Sequence, residues 1–127
     1  MKLAAIDIGS NACRLLIDEV IKNPQGKTDF VKVSLVRVPL RLGFDVFEIG
    51  EISPQKESNL IKTILSYKLL LEVYEVKHLK ACATSAMRDA RNSAQILQRV
   101  KEETGIDIKI ISNYFLENVN DLFDREM

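Results

Sequence analysis

The sequence predicts one α/β domain: a mixed five-stranded sheet of three antiparallel strands followed by two crossover strands, with flanking helices. Three observations carry this. Short apolar runs, rich in β-branched residues, recur at 3–8, 13–21, 30–40, 79–84 and 106–111, the length and composition of strands. Only brief polar turns separate the first three, which is hairpin spacing. Helical periodicity separates the last three, and a strand–helix–strand unit within one sheet is a parallel crossover.

The elements follow in order. Residues 3–8 are an almost unbroken apolar run, as in a strand covered on both faces. Gly9-Ser10-Asn11 turns the chain, with residue types that tolerate the backbone angles of a tight hairpin. The second strand ends at a Pro/Gly-rich polar turn, residues 23–29. In the third strand the alternation Val31, Val33, Leu35 slips to Val36 and Val38, which suggests a bulge or burial on both faces. Residues 41–50 read as a loop. Ser53 then caps a helix with Pro54 at its first position. Leu60, Ile61, Ile64, Tyr67, Leu71 and Tyr74 form its core-facing stripe over about twenty residues. The fourth strand carries small residues, Ala81, Cys82 and Ala83, which let another backbone approach. Asn92 or Ser93 caps a second helix, with Gly105 as its left-handed end. This order is ribonuclease-H-like, and ligands of such sheets gather beyond the carboxyl ends of the parallel strands. Residues 7–11 and 84–88 both arrive at that edge.

Composition narrows the function classes. With 127 residues, 46% apolar and 28% charged, the chain can bury one core. Its formal net charge of zero gives no global pull towards nucleic acid or an anionic membrane, so any anion site must be local. No apolar run approaches a membrane span. Cys13 and Cys82 sit in apolar contexts and are expected buried and reduced. The chain is expected to be cytoplasmic, without a leader. His78 is expected as a surface connector, and no His/Cys cluster has zinc-ligand spacing.

Asp7 lies inside the first strand, where an unpartnered carboxylate costs several kcal/mol, roughly. Successive N–H groups in the following turn make a concavity for phosphate, and the carboxylate can hold the accompanying metal. Simple hydrogen bonding of Asp7 is the alternative. Thr84, Ser85 and Arg88 lie on a strand-to-helix connection, where helix N–H groups attract anions and arginine grips phosphate oxygens. A solvated Arg88 beside Asp89 and Arg91 is the plainer reading. Arg14 can pair with Asp7 or reach a phosphate. Arg41 is either a solvated loop residue or a ligand.

Two segments together carry a resemblance. Ala5-Ile6-Asp7-Ile8-Gly9-Ser10-Asn11-x-x-Arg14-Leu15 resembles the first phosphate motif of the exopolyphosphatase / guanosine pentaphosphate phosphatase (Ppx/GppA) family. The stretch Ala83-Thr84-Ser85-Ala86-Met87-Arg88-Asp89-Ala90-Arg91-Asn92 resembles its second signature. Arg41-Leu42-Gly43 and residues 103–112 also match in place. The family belongs to the sugar kinase–Hsp70–actin superfamily. The resemblance implies hydrolysis of phosphoanhydrides, of polyphosphate ends or the 5′ phosphate of pppGpp, assisted by Mg²⁺. It implies that Asp7 orients the metal or its water. Gly9, Ser10 and Asn11, with Arg14, Thr84, Ser85 and Arg88, are then the expected phosphate-binding set. A ribonuclease-H-type nuclease needs several clustered carboxylates for two metals, and the fourth strand ends in Thr84-Ser85 instead; no nucleic-acid partner is expected.

The match departs after Ser112. The family's Gly-x-Glu-Glu-Ala segment carries the catalytic base, and Phe115 and Leu116 occupy those glutamate positions here. Glu117 is displaced. Residues 1–112 are thus expected to be a Ppx/GppA-like N-terminal domain and 113–127 a divergent tail, helical in pattern through Phe115, Leu116, Val119, Leu122 and Phe123. A truncated or frameshifted gene would give such a pattern. The family's second domain is not expected within this chain, which is therefore expected to be inactive alone. The alternative is a non-catalytic module that binds polyphosphate or pairs with a relative, and a homodimer through the exposed sheet or the tail is one expected form. Activity completed by another chain's glutamate has no support in the sequence.

Overall fold

A computed structural model describes residues 1–112; the expected tail helix lies outside them. Strand β1 (Lys2–Ile8) is the middle of a five-stranded sheet ordered β3-β2-β1-β4-β5. Its side chains alternate between two cores, as the strand period requires. Ala4, Ile6 and Ile8 enter the larger core, and Leu3 and Ala5 the smaller one on the opposite face. Both faces are therefore covered, which is why residues 3–8 are apolar apart from Asp7.

Strand β2 (Cys13–Lys22) returns antiparallel to β1, with Asp7 opposite Arg14 and Ile8 opposite Cys13. The hairpin turn uses no left-handed residue: neither Gly9 nor Asn11 has positive φ. Gly9 is set instead by close approach, since a Cβ there would stand 3.2 Å from the Ala12 carbonyl oxygen. Strand β3 (Thr28–Val38) forms the outer edge of the sheet. Ile17 faces Ser34 while Asp18 faces Lys32, so Val33 is an extra residue. That bulge accounts for the slipped alternation.

Residues 41–50 are not a loop. Helix α1 spans Leu42–Ile49, entered through Arg41 in the left-handed region (φ 55°) and closed by Gly50. Two things hide it at the level of sequence. Its N-cap offers no side-chain bond, and its apolar residues Phe44, Phe47 and Ile49 are exposed, with Leu42 alone buried. Helix α2 (Pro54–Val73) begins as expected, with the Ser53 hydroxyl accepting the Lys56 N–H at 3.3 Å. Leu60, Ile61, Ile64 and Tyr67 are buried, each stabilising the fold by about 1.5–3 kcal/mol for an aliphatic side chain. The Tyr67 hydroxyl donates to the carbonyls of Cys13 (2.8 Å) and Val36 (3.3 Å), tying α2 to the first residue after the hairpin turn.

Strand β4 (His78–Ala83) runs parallel to β1, with Ile8 opposite Ala83; His78 is its exposed first residue. A short helix α3 (Ser85–Asp89) follows, then α4 (Ser93–Thr104), closed by Gly105 at φ 76°. Asn92 stands at the N-cap of α4 but makes no capping bond. Its amide instead pairs both ways with the Ile52 backbone, at 3.0 and 2.8 Å. The fifth strand is shorter than the alternation suggests: β5 is only Lys109–Ile110, parallel to β4. Thr104 Oγ accepts the Ile106 N–H, and Ile106 and Ile108 turn into the core rather than the ladder. Among the described residues no helix is long and apolar enough to cross a membrane.

Candidate phosphate site

The carboxyl ends of β1 and β4 lie side by side, and the segments that leave them are joined. The Ser10 and Ser85 hydroxyls are 2.6 Å apart, and the Thr84 N–H donates to the Ile8 carbonyl at 3.1 Å. The 9–12 loop is braced from the other side by the start of α1. Asn11 O accepts the Arg41 N–H and Ser10 O accepts the Gly43 N–H, both at 2.9 Å. Gly43 is needed there, because a Cβ would stand 2.8 Å from that of Ser10. Gly9 N–H closes the loop on Ala12 O at 2.9 Å. The carbonyls of Ser10, Asn11 and Ala12 are thereby occupied. Among the described residues the N–H groups of Ser10, Asn11 and Ala12 reach no backbone acceptor, the arrangement that suits an anion.

Asp7 is 5% exposed, and its Oδ2 accepts from Arg14 Nη2 at 2.6 Å. Its Oδ1 is buried with no hydrogen-bond partner. A cleft of about 420 Å³ opens here, lined by Asp7, Gly9, Asn11, Arg14, Arg37 and Thr84. An orphaned carboxylate oxygen in a cleft that Thr84 also lines is oxygen-donor chemistry that fits a hard divalent cation. No group of three or more His, Cys, Asp or Glu is gathered among the described residues.

The expected residues do not all converge. Gly9, Asn11, Arg14 and Thr84 line the Asp7 cleft, whereas Ser10 and Ser85 line a neighbouring hollow with Gly43 and Asp89. Arg88 is exposed on α3, 3.4 Å from Asp89, and is not among the residues lining the Asp7 cleft. Helix α3 has five residues, too few for an appreciable helix dipole. Arg91 is structural: it donates to Ile49 O at 2.9 Å across Gly50. Arg37 lines the cleft although no motif singles it out. The antiparallel register that places it opposite Arg14 is the signal that marks it.

Lys56 secures the α1 brace. Its ammonium donates to Arg41 O (2.8 Å), meets Asp45 (2.8 Å) and lies over the Phe44 ring. Burial works against the Asp45 charge, but hydrogen bonds from Lys56 and Ser53 outweigh it and hold the carboxyl below its usual range. Burial pushes the Cys13 thiol, at the base of the loop, up to about 12.

A ribonuclease-H-like lobe of the actin superfamily, with a phosphate-type loop at its parallel edge, is the class these features define. The model of the Ppx/GppA phosphatase family matches residues 20–114, and the chain belongs to that family. It is 32% identical over 111 residues to Exopolyphosphatase 1 of Mycobacterium tuberculosis, covering 87% of this chain and 31% of that protein. It is 33% identical over 111 residues to the bifunctional 3-dehydroquinate synthase/phosphatase of Fusobacterium nucleatum, covering 86% of this chain and 17% of that one. The Aquifex aeolicus Ppx/GppA family member superposes with a TM-score of 0.78 at 33% identity, over 88% of this chain and 35% of that chain. The chain thus spans about a third or less of the relatives it matches.

Proposed function

We propose that residues 1–112 are the phosphate-binding lobe of a phosphohydrolase that cleaves terminal phosphoanhydrides of inorganic polyphosphate or of pppGpp. The observation that carries this is Asp7: buried, held by Arg14 through one oxygen, with the other oxygen unpartnered, in a cleft beside free loop N–H groups. In this reading Mg²⁺ supplies charge neutralisation for the phosphate, held by Asp7 with Thr84 nearby. The loop N–H groups and Arg14 orient the phosphate oxygens. Catalysis of this kind is chiefly positioning and charge stabilisation.

Activation of water also needs a base within hydrogen-bond reach of the nucleophile. Asp7 is the one carboxylate among the described residues lining the cleft, and it is engaged by Arg14. Positions 115 and 116, where the family resemblance implies glutamates, are Phe115 and Leu116. The chain by itself is therefore read as binding phosphate without turning it over. Two buried, unbridged cysteines suit a reducing compartment such as the cytoplasm.

The test is the 127-residue chain with Mg²⁺ and long-chain polyphosphate, assayed for released orthophosphate and, by calorimetry, for binding. Saturable binding that is weakened by Asp7→Asn, with release no greater than a mock purification, is expected. Turnover above the mock removes the claim of inactivity. Absence of any binding removes the phosphate-site reading itself.

A further inference from the structure

We propose that Arg37 and Arg41 form a second anion subsite that continues the Asp7 cleft, so that the lobe prefers linear condensed phosphates to orthophosphate. The proposal rests on the reading of the Asp7 cleft as a phosphate site. Its basis is a groove rather than a single residue. The Asp7 cleft and an adjoining hollow of about 600 Å³ share Asn11 and Arg37, and the outer hollow is completed by Pro39, Arg41 and Phe44. Asp7 and Arg14 lie at one end and Arg41 at the other, with Arg37 common to both. Among the described residues no carboxylate lines the outer half. The chain as a whole is neutral, so this cationic stretch is a local feature and not a by-product of a basic protein.

Neither arginine is explained by the fold taken alone. Arg37 sits directly opposite Arg14 across the β2–β3 ladder, where the Arg14 charge is offset by Asp7 and Arg37 brings a further positive charge. Arg41 occupies the left-handed region, at φ 55° and ψ 46°, where a glycine or asparagine would be easier. Neither guanidinium has an ion pair or hydrogen bond among the described residues, while the backbones beneath them are fixed. Arg37 is paired into β3. Arg41 donates its N–H to Asn11 and accepts from Lys56 through its carbonyl. A polyanion along the groove would supply Arg37 and Arg41 with countercharge, and arginine's planar fork suits phosphate oxygens. A terminal phosphate at Asp7 would thus place the next phosphates against Arg37 and then Arg41.

The experiment is calorimetric titration of the 127-residue chain with orthophosphate and with tripolyphosphate, for wild type, Arg37→Gln, Arg41→Gln and the double variant. Wild type should bind tripolyphosphate more tightly, by about tenfold for each arginine that the longer anion reaches. The double variant should lose that preference, and Arg41→Gln, at a residue that lines the outer hollow and not the Asp7 cleft, should lower it while its orthophosphate affinity stays within about twofold. An unchanged tripolyphosphate-to-orthophosphate ratio overturns the subsite and leaves the Asp7 reading standing. Wild type that binds neither ligand overturns both. If the double variant does not fold, Arg41→Gln alone decides: a tripolyphosphate-to-orthophosphate affinity ratio equal to that of the wild type overturns the proposal.

Discussion

The 9–12 loop and the 84–89 segment reach the same sheet edge from neighbouring parallel strands, yet the fold holds them by different means. The loop has no helix of its own. It is fastened through its carbonyls, by Arg41 and Gly43 on one side and by Tyr67 at Cys13, and through the Ser10 hydroxyl on the other. The 84–89 segment is a single short helix whose Ala86 and Met87 are buried and whose Arg88 and Asp89 face solvent. What the difference teaches is a division of labour. Donors that can face an anion come from the segment whose acceptors are already engaged. The other segment supplies a clasp, Ser85, and part of a wall, Thr84.

Four substitutions break or sharpen this contrast. Arg14→Leu should cost most, about 3 kcal/mol, because it leaves the buried Asp7 carboxylate uncompensated; urea unfolding measures it, and a loss below about 1 kcal/mol would show that Asp7 finds other support. Gly43→Val should come next, at about 1–3 kcal/mol, since its Cβ must displace Ser10 or the start of α1. Its phosphate binding should fall further than its stability, as the loop is moved. Ser85→Ala removes the 2.6 Å clasp and should cost about 1 kcal/mol, read as a lowered denaturant midpoint. Arg88→Ala should change stability by no more than about 0.5 kcal/mol, because its partner is an exposed neighbour. A larger loss there would make the two segments structurally equivalent after all.

Much of the architecture was legible because strand burial and helix capping leave local marks. The almost unbroken apolar run of β1, the Ser53-Pro54 start of α2 and Gly105 after α4 each state their role within a few residues. The failures share a physical cause, which is that long-range partners override local pattern. Helix α1 is organised by Arg41 meeting Asn11 and by Lys56 meeting Asp45, contacts that no spacing within 41–50 announces. Asn92 looks like a cap and serves as a bridge to Ile52. Ile106 and Ile108 alternate as a strand does but enter the core. At the site, Asp7 and the loop were visible as a motif. Arg37 needed the β2–β3 register, and the exposure of Arg88 needed the length of α3.

The Ser10–Ser85 clasp joins residues 75 positions apart, and the Tyr67–Cys13 bond joins residues 54 apart. Both contacts close long chain loops, whose entropy must be lost before the bonds repay it. The β1–β2 hairpin is local and can form early, closed by the Gly9–Ala12 bond but without its long-range braces. Its anion-ready form waits until α2 and then β4 have docked. In refolding experiments, secondary structure should therefore be recovered ahead of ligand-binding competence, with the lag timing the arrival of residue 85.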